Sequence, residues 1–154
     1  MMKLTITAQK SELMADLRNK TYIIGRQIES VDPKNYRQAE EMIASGDSWD
    51  EKEMAGNLNH AAGLLGAQAG EYLSMNESMS DYSLSIVVPE NFNSAMIPEI
   101  KRLFHSYLVA GAISDWLFVH DKGELAKTHA AESELSARLI IQSLNTRIRP
   151  KRPE

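Results

Sequence analysis

The sequence predicts a mainly α-helical fold, a bundle of four to five helices carrying a small two-stranded β-ribbon. Three observations lead there. Most long segments repeat apolar residues every three or four positions, the period of a one-sided helix. Only two segments, residues 3–8 and 82–88, alternate with the period of two that marks a half-buried strand. And one stretch, Leu103–Val119 (LFHSYLVAGAISDWLFV), is more continuously apolar than anything else in the chain. It has no proline, one formal charge (Asp115) and four aromatic residues, Phe104, Tyr107, Trp116 and Phe118, which makes it the natural central helix.

The totals fit one domain. A chain of 154 residues buries roughly 70% of its unfolded surface on folding. Residues 1–146 read as a single helical domain and 147–154 as an extended basic tail. With 43% hydrophobic and 25% charged residues the composition is that of a globular protein, and the net charge of −4 argues against nucleic-acid binding by the whole surface. Cysteine is absent, which removes disulfides, thiol nucleophiles and cysteine metal sites. The opening MMKLTITAQK lacks the apolar run of a signal peptide, and no segment is apolar for about 18 residues, so a cytoplasmic domain without a membrane span is expected.

Taken in order, Lys3–Ala8 places Leu4 and Ile6 opposite Thr5 and Thr7, as a strand would. From about Gln9, Leu13, Leu17, Ile24 and Ile28 form a helical stripe to about Glu29, with Thr21 filling its gap. Asp32-Pro33 looks like an N-cap and first helical position, opening a short polar helix with Tyr36, Ala39 and Ile43 on one face, stopped at Gly46. Ser48-Trp49-Asp50-Glu51 is a capping-box pattern, so a helix begins there and runs to about Leu73.

On that helix Met54, Leu58, Ala61, Leu65, Ala69 and Tyr72 make one core face, while Gly56, Gly63, Gly66 and Gly70 make a second band. An interior helical glycine costs about 1 kcal/mol relative to alanine. Four on one strip point either to compensation by a closely approaching backbone or to a locally weak helix. Asn76–Asp81 reads as a polar connection, and Tyr82–Val88 as the second strand, closed by Pro89 and paired with the first.

Asn93 or Ser94 caps the next helix, with Pro98 in its first turn. Up to Leu108 this helix is amphipathic, with Lys101, Arg102, His105 and Ser106 opposite Ile97, Ile100, Leu103, Phe104 and Tyr107. Beyond Leu108 the polar side turns apolar, carrying Val109, Ala112, Ile113 and Trp116. That half is either buried all round or exposes an apolar patch. Gly111 is placed to face the glycine band. The last helix, about Glu124 to Arg147, has a main stripe of Ala126, Ala130, Ala137, Ile140, Ile141, Leu144 and Ile148, with Leu135 and Leu139 pointing elsewhere.

The expected interface residues are therefore Val109, Ile113, Trp116, Leu135 and Leu139, because two helices with opposed apolar faces are hard to cover within one small bundle. The end, RIRPKRPE, supplies Arg147, Arg149, Lys151 and Arg152. These either complement the helix dipole and trail into solvent, or form an arm that docks on an acidic neighbour or on DNA phosphates.

No catalytic residues, cofactor or metal are expected. Glu-x-x-His and His-Glu-x-x-His are missing, and His129-x-x-Glu132 alone is a weak metal signal. Gly-x-Ser-x-Gly, the P-loop and Gly-x-Gly-x-x-Gly are missing too. Asp115 is expected to flank the core and pair with a cation or a helix N-terminus, since an unpaired buried charge is costly.

Three segments carry a family resemblance: MKLTITAQKSELMADLRNKTYIIG, LSIVVPENFNSAMIPEIKRLFHSYLVAGAISDWL and LNTRIRPKRP. Together they resemble small virion-associated structural proteins of tailed phages and prophages of gut bacteria, of the head–tail connector or completion type. Residues 30–80 match nothing in that pattern. The resemblance implies a non-enzymatic adaptor at the head–tail junction, working through protein–protein contacts as an oligomeric ring. Its partners would be its own copies and portal or tail components, first in the host cytoplasm and then in the virion. The alternative is a small nucleic-acid-associated accessory protein using the basic tail.

Overall fold

The computed structural model describes residues 2–31, 48–69, 73–77, 81–119 and 123–145. Within them the order is β1 (Met2–Gln9), α1 (Lys10–Val31), α2 (Ser48–Ala69), β2 (Leu73–Glu77), β3 (Asp81–Val88), a 3₁₀ turn (Ser94–Met96), α3 (Ile97–Val119) and α4 (Gly123–Leu144). The fold is mainly α, four helices with a small antiparallel sheet. The short helix expected after Asp32 and the basic tail lie outside the described residues.

The sheet has three strands where the sequence predicts two, in the order β1-β3-β2. The expected pairing of the first strand with Tyr82–Val88 is present, with Ile6 opposite Leu84 and Ala8 opposite Tyr82. The extra strand is LSMNE, which pairs antiparallel with the other side of β3, Leu73 opposite Ile86 and Met75 opposite Leu84. Five residues ending in Asn-Glu carry little intrinsic strand preference; the open hydrogen-bonding edge of β3 supplies what local propensity does not.

Helix α3 runs through the middle of the molecule. It packs most extensively against α4, then against α2, α1 and β1. Asn93 sets its start, its Oδ1 accepting the Ala95 N–H at 3.1 Å in the 3₁₀ turn that leads into Ile97, so the cap acts one turn ahead of the α-helix. Twelve of its residues are buried, including both the early stripe (Ile100, Leu103, Phe104, Tyr107, Leu108) and the later, opposite set (Val109, Ala112, Ile113, Trp116).

The remaining stripes close around it. Leu13, Leu17 and Ile24 of α1 are buried, and Thr21 fills its place by donating its hydroxyl to the Leu17 carbonyl at 2.8 Å. Met54, Leu58, Ala61 and Leu65 of α2 and Ala126, Ala137 and Ile140 of α4 complete the core. Phe92, in the turn after β3, is also buried, and its N–H bonds the Pro89 carbonyl at 3.0 Å.

Candidate functional site

Three hydroxyl-bearing residues of the interior, Tyr107, Ser114 and Ser133, gather where α2 and α4 meet over α3. Gly111 sits at the crossing: a Cβ placed there would lie 3.0 Å from the Ala61 Cβ and 3.3 Å from the Ser133 Oγ. The close approach expected of the glycine band is thus made by Gly111 against alanine and serine. Gly56 and Gly63 have nothing within 4 Å of the position a Cβ would take, so the expected contact is not made there.

Three hydroxyls fasten the crossing. The buried Tyr107 hydroxyl donates to the Ala61 carbonyl at 2.6 Å, the Ser133 hydroxyl to the Tyr107 carbonyl at 3.3 Å, and the Ser114 hydroxyl to the Ala126 carbonyl at 3.0 Å. Each satisfies a buried donor that would otherwise be costly. Burial pushes the Tyr107 phenol up to about 12, helped by the negative charge of Asp115, while the Leu65 backbone N–H pulls the other way.

Above this floor lies an open cleft of about 450 Å³, walled by His60, Ala61 and Leu64 of α2 and by Lys127, Ala130, Ala131 and Glu134 of α4. At its mouth His60 Nδ1 meets Asp115 Oδ2 at 2.9 Å. An ionised carboxylate only accepts, so Nδ1 carries the proton and Nε2 is left facing away from the pair. On the other flank of α3, His105 Nε2 meets Asp16 Oδ2 at 3.0 Å, and Asp16 also lies 3.7 Å from Lys20. The sequence singles out Asp115 but does not name His60; only the packing of α2 on α3 joins residues 55 apart in the chain.

Of the expected interface residues, three are elsewhere than foreseen. Val109, Ile113 and Trp116 are at most 2% exposed, buried within the single chain. The reason is the arrangement of neighbours: α1, α2, α4 and β1 surround α3, so an all-round apolar helix is covered without a second copy. Leu135 and Leu139, in contrast, stand 51% and 37% exposed one turn apart on α4. Leu64, Leu125, Phe118 and Val119 are exposed as well. Arg147, Arg149, Lys151 and Arg152 lie outside the described residues.

His129 Nδ1 lies 3.7 Å from Glu132 Oε2, a contact within one helix. Among the described residues no three His, Asp, Glu or Cys side chains gather as a metal site. No helix among them is long and apolar enough to cross a membrane. In comparisons with known proteins, no protein-family model, no curated protein and no solved structure matches the chain.

Proposed function

We propose that this protein is a non-enzymatic helical adaptor acting through protein–protein contacts, a structural protein of the head–tail junction of a tailed phage. It assembles with its own copies and with portal or tail components. The observation that carries the reading is the pair Leu135 and Leu139, exposed on α4 while Ala126, Ala137 and Ile140 of the same helix are in the core. A helix with one apolar face in the core and another in solvent is built to be covered by a neighbour. The three segments that resemble virion structural proteins, quoted above, are the reason for choosing a virion component as that neighbour.

The test uses phage heads assembled without this protein. The wild-type chain is expected to co-sediment with them and with isolated portal. Leu135→Asp/Leu139→Asp, folded by circular dichroism, is expected to stay in the supernatant. Equal binding by the folded variant would remove α4 as the contact, and no binding by wild type would remove the adaptor reading.

A further inference from the structure

We infer that α4 is a two-fold contact helix, packing antiparallel against α4 of a second copy of this chain with the axis passing between Ala130 and Ala131. The inference rests on the adaptor reading and adds the partner, the geometry and the residues. It comes from the order of charges along the exposed side of α4. Lys127 and Glu134 both line the cleft, both are exposed, and they are seven residues, about 10.5 Å, apart. Their midpoint falls between Ala130 and Ala131.

An antiparallel copy reflects the helix through that midpoint. Lys127 then faces the second copy's Glu134, and Glu134 its Lys127. One turn further out, Glu124 falls one residue, about 1.5 Å along the helix, from the level of the second copy's Arg138, within reach of that long side chain. Every such pair is of opposite sign, whereas a parallel alignment would set Lys127 against Lys127 and Glu134 against Glu134. A pattern that is complementary to its own reversal is what an isologous contact requires. Among the described residues Lys127, Glu134, Glu124 and Arg138 enter no ion pair, so these charges are available for the contact.

The packing agrees. Lys127, Ala131, Glu134, Leu135 and Arg138 lie within roughly 100° of one another around the helix. Ala130 and Ala131 at the crossing let two helix axes approach toward the near end of the usual 8–10 Å range. Leu135, half exposed in the single chain, sits beside the charges and is covered when the copies meet. The open cleft over Gly111, walled by α2 and α4, receives the second copy's helix, which places each α4 against the α2–α4 groove of the other.

Charge exchange tests this without touching the core. Sedimentation equilibrium of the wild-type chain is expected to show a dimer. Lys127→Glu alone and Glu134→Lys alone place two like-charged pairs at the axis and weaken the dimer roughly tenfold or more. An equimolar mixture of the two variants re-forms both attractive pairs and recovers the dimer, as does the double variant. A monomeric wild type, dimers unaffected by either single change, or a mixture that does not recover would each overturn the two-fold contact. Binding of the same variants to tailless heads separates the two readings. Heads still bound by a monomeric chain exclude the α4 contact and leave the adaptor role standing.

Discussion

His60 Nδ1 lies 2.9 Å from Asp115 Oδ2, and that contact ties α2 to α3 at the mouth of the cleft. Its counterpart, His105 with Asp16, ties α1 to the other flank of the same helix. Helix α3 is therefore held by carboxylate–imidazole contacts on two sides as well as by its apolar packing. The His60 side chain is 62% exposed and that of Asp115 33%, so the pair orients the helices more than it stabilises them.

Asp115→Asn separates those roles. The amide keeps the shape of the carboxylate and removes its charge. Stability is expected to change by no more than about 1 kcal/mol, the range of a solvent-screened pair. The Tyr107 phenol should titrate lower than in the wild type, because Asp115 is the charge that helps hold it up. Phenolate absorbance measured as a difference against Tyr107→Phe reads the shift. An unmoved Tyr107 would mean that burial alone sets its titration.

Tyr107 also predicts an alkaline limit. Its folded value is raised from 10.0 to about 12. Between those values the unfolded chain has released the phenolic proton and the folded chain keeps it. The folded state binds more protons, so stability falls as pH rises across that window and is fully present below it. The loss approaches about 2–3 kcal/mol by the upper end. Tyr107→Phe is expected to start about 1 kcal/mol less stable, lacking the bond to Ala61, and to show a shallower alkaline decline. Denaturant titrations at a series of alkaline pH values compare the two slopes; equal slopes would clear Tyr107 of the effect.

The glycines give opposite signs. Gly56→Ala and Gly63→Ala add a methyl into open space on an exposed helix face, so each is expected to stabilise by about 0.5–1 kcal/mol through helix propensity. Gly111→Ala gains the same propensity but brings its Cβ to 3.0 Å from that of Ala61, a methyl fixed to a packed helix. The net result is a loss of about 1–2 kcal/mol as the helices move apart. Thermal melts of the three variants decide it, and a stabilised Gly111→Ala would show that the crossing is slacker than 3.0 Å implies.

These signs explain what could be read from the chain beforehand. The stripes of α1, α2 and α4, the first strand and the placing of Pro98 follow from local period and capping, which are properties of neighbours in sequence. The third strand did not follow, because Leu73–Glu77 is a strand by virtue of the β3 edge beside it. The glycine band misled for a related reason: spacing shows that Gly56 and Gly63 share a side, but not whether another helix covers that side. Leu135 and Leu139 were legible as a separate face because the core stripe of α4 was already complete without them. Trp116, expected at an interface, is in the core instead, since an all-round apolar helix has the same pattern whether its own chain or a second one encloses it.

That ambiguity supplies the last prediction. Ile113 and Trp116 are buried among residues of their own chain, so truncation leaves a cavity that the packed helices cannot fill. Ile113→Ala is expected to cost about 2–5 kcal/mol and Trp116→Ala about 3–5 kcal/mol, a large fraction of the roughly 5–15 kcal/mol that holds a small domain folded. Leu135→Ala, on a side chain 51% exposed, should stay within about 0.5 kcal/mol in dilute solution. Urea unfolding at low protein concentration measures folding free of association, and sedimentation at high concentration measures association free of unfolding. Ile113→Ala must fail the first measurement, whereas Leu135→Asp must pass it and fail the second. An Ile113→Ala chain that unfolds like the wild type but no longer self-associates would return Ile113 to the surface and reverse the assignment of core and contact made for α3 and α4.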